Sequence, residues 1–175
     1  MGLRGGEALR CIHAAAPAGC GFGVNYEECK AGDAIKEIVR YFQDTHSTHQ
    51  FEVSLPDKPV DLFVEKEKIR QVIQNLLSNA AKFSPDGSEI NIVGETINGS
   101  YLVSVKDQGL GMTSEQVEKI FDRFYRADMS STALEGTGLG MTIVKNIIEA
   151  HGGKIWVESE LGKGTAVRFK IPLSE

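Results

Sequence analysis

Apolar side chains at Ile35, Ile38, Val39 and Phe42 recur at helical spacing, with Asp33 placed to cap the start. Gln50 to Leu55 alternates polar and apolar positions as a strand does, and Val60 to Val64 forms a second short strand after Pro56 and Pro59. A long helix follows from about Glu65 to Phe83, closed by Ser84-Pro85-Asp86-Gly87. Two further strands, Glu89 to Ile97 and Tyr101 to Lys106, are joined by Asn98-Gly99, a strong hairpin signal. Thr113 to Phe121 reads as a short helix with Thr113 as N-cap and Gln116 at capping-box spacing. Residues 122–137 have no steady period and read as a loop. Leu139 to His151 is a largely apolar helix ended by Gly152-Gly153, with His151 as its C-cap. The last strands, Lys154 to Ser159 and Thr165 to Ile171, turn through Leu161-Gly162-Lys163-Gly164. This order predicts an α+β, two-layer sandwich: a mixed sheet with helices on one face.

The first 29 residues break the pattern. They are rich in Gly, Ala and Cys, with neither helical nor strand period, and read as a flexible leader or a cloning remnant. The folded domain is expected to span residues 30–175. Cys11, Cys20 and Cys29 all fall before it, which disfavours a disulfide scaffold and suits a reducing compartment. Their eight-residue gaps match no zinc-ligand spacing, so His13 among them makes no metal site. The chain of 175 residues carries 19 Lys and Arg against 24 Asp and Glu, a net charge of −5. That balance argues against a nucleic-acid partner, and no apolar run is long enough to span a bilayer. A cytoplasmic, monomeric domain is expected.

Candidate chemistry sits in three places. On a wheel at about 100° per residue, Ile69, Val72, Ile73, Leu76 and Ala80 form the apolar stripe of the long helix. Asn75, Asn79 and Lys82 form a second, polar stripe beside it. Amide oxygens are hard ligands suited to Mg²⁺, and an ammonium suits phosphate oxygens, although the same stripe could be an ordinary solvent boundary. Asp107-Gln108-Gly109-Leu110-Gly111-Met112 follows a strand directly. A carboxylate there can accept from an exocyclic amine such as adenine's, while the glycines admit a flat ring; alternatively it is a capped turn. Gly136-Thr137-Gly138-Leu139-Gly140 opens the apolar helix, where free N–H groups and the dipole attract anions. It is neither a dinucleotide fingerprint nor a Walker A loop, and Gly162-Lys163-Gly164-Thr165 is no Walker A loop either.

In order, Asn75–Phe83, Asp107–Met112, Phe121-Asp122-Arg123-Phe124-Tyr125 and Gly136–Gly140 closely resemble the N, G1, F and G2 boxes of sensor histidine kinase catalytic domains. Gly162–Thr165 is similar to that family's closing glycine motif, and the likeness covers about Lys30 to Pro172. The resemblance implies the Bergerat-type fold shared with gyrase B, heat-shock chaperone and mismatch-repair ATPases. It implies ATP and Mg²⁺ as cofactors, with Asn79 as metal ligand and Asn75 beside it. It implies that Lys82 contacts phosphate and Phe83 lies near the nucleotide, and that Asp107 reads the adenine amine. Gly109, Gly111 and Met112 would shape that pocket, with Thr165 closing it. Arg123, Phe124, Tyr125 and Arg126 fall in the F-box region, where an Arg reaches the γ-phosphate. Gly136, Thr137, Gly138, Leu139 and Gly140 would hinge a lid formed by residues 122–137.

The implied activity is transfer of the ATP γ-phosphoryl to a histidine on a separate dimerisation domain, with a response regulator downstream. The alternative is a nucleotide-binding regulatory module or an anti-sigma type serine kinase of the same superfamily. The phosphoacceptor pattern itself is missing: His13 lacks an acidic neighbour, and His46 and His49 follow the place a helical hairpin would occupy. The chain thus resembles a catalytic domain severed from its acceptor, with any membrane attachment left to other parts of the parent protein.

Overall fold

The computed structural model describes residues 25–46, 48–126 and 138–173. Its elements are β1 (Glu27–Lys30), α1 (Ala31–Thr45), β2 (Gln50–Ser54), β3 (Asp61–Val64) and α2 (Lys66–Phe83). There follow β4 (Glu89–Ile97), β5 (Ser100–Lys106), α3 (Ser114–Lys119), α4 (Gly140–Ala150), β6 (Lys154–Glu160) and β7 (Gly164–Pro172).

The main sheet runs β2-β4-β5-β7-β6, with β2 parallel to β4 and the other pairs antiparallel. It is mixed, as the alternation of helices and hairpins predicts. The β4–β5 turn is set by Asn98 and Gly99, both at positive φ (47° and 71°), the geometry that matches strand twist. One sheet face supplies Ile90, Ile92, Tyr101, Val103, Val105, Phe169 and Ile171 to the core. Against it α1 buries Ile35, Ile38, Val39 and Phe42, α2 buries Ile69, Val72, Ile73, Leu76 and Leu77, and α4 buries Val144, Ile147 and Ile148. The period-2 faces of the strands and the 3.6-residue stripes of the helices thus meet in one apolar layer.

Three expectations shift. The boundary at Lys30 moves back, because Glu27–Lys30 pairs antiparallel with β3 and Cys29 is buried in the core. The strand's alternation was hidden by its shortness and by the charged residues on its open face. Asp33 is not the cap of α1: the helix starts at Ala31 after Lys30, with no side-chain cap, and Asp33 sits in the first turn facing the dipole. The short helix α3 stops at Lys119, before Phe121, although its capping box is present on Thr113 and Gln116 as expected.

His151 is the C-cap of α4, and it also ties two helices. Its Nδ1 lies 2.7 Å from the Ile147 carbonyl, while its Nε2 accepts from the Glu65 N–H at 3.1 Å. The C-terminus of α4 is thereby held to the start of α2, at the end of the helical layer opposite Gly140. His13, and the remaining readings on residues 1–24, lie outside the described residues.

Candidate functional site

A cleft of about 510 Å³ opens between α2, the start of α4 and the strand ends of β5, β6 and β7. Its floor is a row of three valines on adjacent strands. Val105 of β5 is the register partner of Val167 of β7, which in turn faces Val157 of β6. Leu76, Ala80 and Met141 from the helices, and Leu110, Ile120 and Leu161 at the rim, complete the apolar lining. The three valines were not singled out from the sequence. Strand parity held the signal, because Val105 and Asp107 are two residues apart and therefore share a face.

Asp107 is the buried acid of the cleft, at 8% exposure. It continues the inward row of Val103 and Val105 just past the end of β5, so the pleat itself aims a carboxylate into an apolar space. Its Oδ1 accepts from the N–H of Gly109 at 2.8 Å and of Thr165 at 3.2 Å. Oδ2 has no partner among the described residues. Burial pushes the Asp107 carboxyl above its ordinary value, and the two N–H donors pull part of the way back.

The sign of that shift makes a prediction about stability. A raised folded-state value means that the native protein binds more protons than the unfolded chain between the ordinary carboxylate value and the raised one. The contribution is present below that window and lost as pH rises through it. Thermal melts of the native protein and Asp107→Asn should therefore diverge as pH falls through that window, the native protein gaining relative stability. A constant difference across that range would contradict the desolvated carboxyl.

Backbone crowding explains the glycines around it. The N–H of Leu110 donates to the Phe83 carbonyl at 3.3 Å, and Gly162 donates to the Leu110 carbonyl at 2.7 Å. The Asp107–Met112 loop is thus pinned between the end of α2 and the β6–β7 turn. Gly164 has φ +87°, and a Cβ there would stand 2.1 Å from the Asp107 carbonyl oxygen. Gly162 has φ +79° but open space around it. Gly164→Ala should cost at least about 2 kcal/mol, combining left-handed strain with a backbone clash, whereas Gly162→Ala should cost only about 1 kcal/mol for strain alone. Urea denaturation of the two variants reads the difference.

The polar stripe of α2 faces the same cleft. Asn75, Asn79 and Lys82 all line it, with Phe83 at its end. Asn75 Nδ2 donates back to the Gln71 carbonyl at 3.0 Å, and its Oδ1 lies beside Gly140, 3.4 Å from where a Cβ would stand there. The Lys82 ammonium sits 5.3 Å from the centroid of the Phe83 ring. The turn after α3 is anchored by Thr142, whose hydroxyl donates to the Phe121 carbonyl at 3.0 Å, and by the Phe124 N–H, which donates to the Gly138 carbonyl at 3.1 Å.

Of the residues nominated from the sequence, Asn75, Asn79, Lys82, Phe83, Asp107, Gly111, Met112, Tyr125, Arg126, Gly138, Gly140 and Thr165 line the cleft. Gly109 does not line it but supplies the N–H that holds Asp107. Arg123, Phe124 and Leu139 do not line it either: Arg123 is exposed, and Phe124 is 73% exposed with φ 64°. The tight turn of residues 121–124 points successive side chains in different directions, which box spacing alone could not resolve. Gly136 and Thr137 lie outside the described residues, as does most of the 122–137 segment. Among the described residues no group of three or more His, Cys, Asp and Glu could hold a metal.

A cleft with an apolar floor, one buried carboxylate and an amide-and-ammonium wall can hold a flat ring at one end and charged oxygens at the other. Residues 64–175 match the family described as histidine kinase-, DNA gyrase B- and HSP90-like ATPase. The chain is 43% identical over 143 residues to the sensor histidine kinase WalK of Bacillus subtilis, covering 79% of this chain and 23% of that protein. It is 35% identical over 153 residues to the signal transduction histidine-protein kinase ArlS of Staphylococcus epidermidis, covering 85% of this chain and 34% of that one. It therefore spans about a quarter to a third of the length of these relatives. Among solved structures, the nucleotide-free catalytic domain of histidine kinase ThkA aligns with TM-score 0.75 at 30% identity, covering 85% of this chain and 96% of that one. ThkA in complex with the response regulator TrrA aligns with TM-score 0.73 at 27% identity, covering 86% of this chain and 42% of that one. The chain belongs to the histidine kinase-, DNA gyrase B- and HSP90-like ATPases, and within them it is an ATP-binding catalytic domain of the sensor histidine kinase type.

Proposed function

We propose that this domain binds ATP with Mg²⁺ in the cleft and transfers the γ-phosphoryl group to a histidine of a separate helical-hairpin domain. The observation that carries the reading is Asp107: a buried carboxylate, oriented by two backbone donors, at the end of a row of valines. Asp107 accepts from the adenine amine while Val105, Val157 and Val167 exclude water from the ring. Phosphates then lie toward α2 and the start of α4, near Lys82 and Arg126. Of the two candidate arginines, Arg126 lines the cleft and Arg123 does not, so the phosphate contact is assigned to Arg126.

The residues fit a divalent cation shared with phosphate. Asn79 and Asn75 offer amide oxygens on one helix edge, and a hard cation of this kind keeps water and phosphate as its remaining ligands. When bound, Mg²⁺ supplies neutralisation of the charge on the phosphate oxygens. The protein's part is positioning: a fixed base, a fixed phosphate tail, and exclusion of water around both. A response regulator as the downstream partner is supported by the ThkA complex with TrrA. Among the described residues no helix is long and apolar enough to cross a membrane.

Incubation with labelled ATP tests the reading. The protein alone should acquire little acid-labile, base-stable phosphate. Addition of the phosphoacceptor hairpin domain of the full-length kinase should place such phosphate on that domain. Transfer should be slow, because a tether that raises effective concentration is absent. ATP binding without transfer to that acceptor would favour a regulatory nucleotide-binding module instead.

A further inference from the structure

Thr142 puts a hydroxyl into the otherwise apolar buried face of α4, among Met141, Val144, Ile147 and Ile148. It is 8% exposed and does not line the cleft. Valine would fill the same volume with no hydroxyl to desolvate, so packing alone does not account for threonine here. The hydroxyl does not bond back to its own helix, as threonine commonly does, but donates to the Phe121 carbonyl at 3.0 Å.

That bond is one of several that fasten the turn of residues 121–124 to the start of α4. Three residues further along the helix, the Lys145 ammonium lies 5.8 Å from the centroid of the Phe121 ring. At the other end of the turn, the Phe124 N–H donates to the Gly138 carbonyl at 3.1 Å. Gly138 has φ +68°, and a Cβ there would stand 2.8 Å from the Phe124 carbonyl carbon, so the two backbones touch. Phe124 itself has φ 64°, a conformation that a bulky residue keeps only where its surroundings enforce it. Tyr125 and Arg126 follow directly, and both line the cleft. The start of α4 also meets α2, where Asn75 Oδ1 is 3.4 Å from the place of a Cβ on Gly140. One helix start therefore touches the amide edge of α2 through Gly140 and holds the turn that delivers Arg126 through Thr142.

We propose that Thr142 is a positioning residue for phosphoryl transfer: by bonding the Phe121 carbonyl to α4, it fixes Arg126 relative to the Asn75–Asn79 edge. The inference rests on the reading of Arg126 as the phosphate contact, and goes beyond it in naming what sets its place. Without the bond, the Phe121 end of the turn loses its one hydrogen bond to α4, and the guanidinium drifts from the charge it must meet. Phosphoryl transfer depends on such placement, and a shift of about 1 Å can cost on the order of 100-fold in rate. Asp107 and the valine floor hold the base independently of this turn, so nucleotide affinity is spared.

Single-turnover transfer from labelled ATP to the phosphoacceptor hairpin domain of the full-length kinase, at saturating ATP, tests it. Thr142→Val should slow transfer by about tenfold or more, while the affinity for ADP stays within about twofold of native. Thr142→Ser keeps the hydroxyl and should restore most of the rate. Thr142→Ala is a second variant without the hydroxyl, and it serves if the valine variant does not fold. Thr142→Val should add nothing further once Arg126 is replaced by alanine, because both substitutions remove the same contact. A merely structural role would lower ADP affinity as well, and would slow the Arg126→Ala protein as much as the native one. Native transfer rates in the valine or alanine variant, or effects that multiply in the double variant, overturn the inference. A native rate in Arg126→Ala alone would overturn the arginine reading itself, a result distinct from a slow Arg126→Ala protein beside an unaffected Thr142→Val.

Discussion

Asp107→Asn is expected to weaken ATP binding on the order of 100-fold or more and to erase the preference for ATP over GTP. The substitution keeps the shape of the side chain and removes an acceptor, and the local geometry leaves no good orientation for the amide. If its oxygen keeps the Gly109 and Thr165 N–H groups, its NH₂ meets the adenine amine, donor against donor. If the amide flips, its NH₂ meets the two backbone N–H groups instead. Either way donors face each other in a buried site, where an unmade hydrogen bond to a formerly charged group costs about 1–3 kcal/mol and the lost bond a similar amount. A guanine carbonyl placed at the same point is repelled by the native carboxylate and accepted by the amide, so the GTP affinity should rise while that for ATP falls. Sites that read a substrate N–H discriminate steeply against analogues lacking it. Titration calorimetry with both nucleotides on both proteins reads the outcome. Equal ATP and GTP affinities in the native protein would remove Asp107 from the role.

What could be read from the sequence divides by the range of the interaction. The long helices and both hairpins carry their own periodicity, capping box and turn chemistry, and these survive in the fold within a residue or two. The polar stripe of α2 is likewise local: Asn75, Asn79 and Lys82 are fixed on one edge by helix geometry before any packing occurs. Asp107 was legible because a strand end plus two nearby glycines is a short pattern. The valine floor was not, since Val105 lies more than 50 residues before Val157 and Val167 and meets them only through sheet register. β1 was lost to length: four residues with a single buried side chain carry too few positions to show a period. The F-box region was legible as a motif but not as geometry, because a turn with Phe124 at positive φ decides which side chain reaches the cleft.

Asn79→Ala is expected to reduce phosphoryl transfer to the hairpin domain by about 100-fold or more, the usual scale for losing a ligand or its support at a metal-assisted site. Asn79 sits one helical turn from Asn75 and about one from Lys82, all lining the cleft, and it makes no hydrogen bond to another described residue. Its amide therefore carries no structural duty that the alanine would sacrifice, and alanine favours the helix. The melting temperature should stay close to native while transfer collapses, which separates a lost ligand from a damaged fold. Asn79→Asp restores a hard oxygen at the same distance and should recover part of the rate, and more of it at raised Mg²⁺. Nucleotide binding without Mg²⁺ should be nearly equal in the native and alanine proteins, because Asp107 and the valine floor hold the base independently of the cation. A transfer rate in Asn79→Ala within a few-fold of native at every Mg²⁺ concentration would move the cation elsewhere on the wall of the cleft.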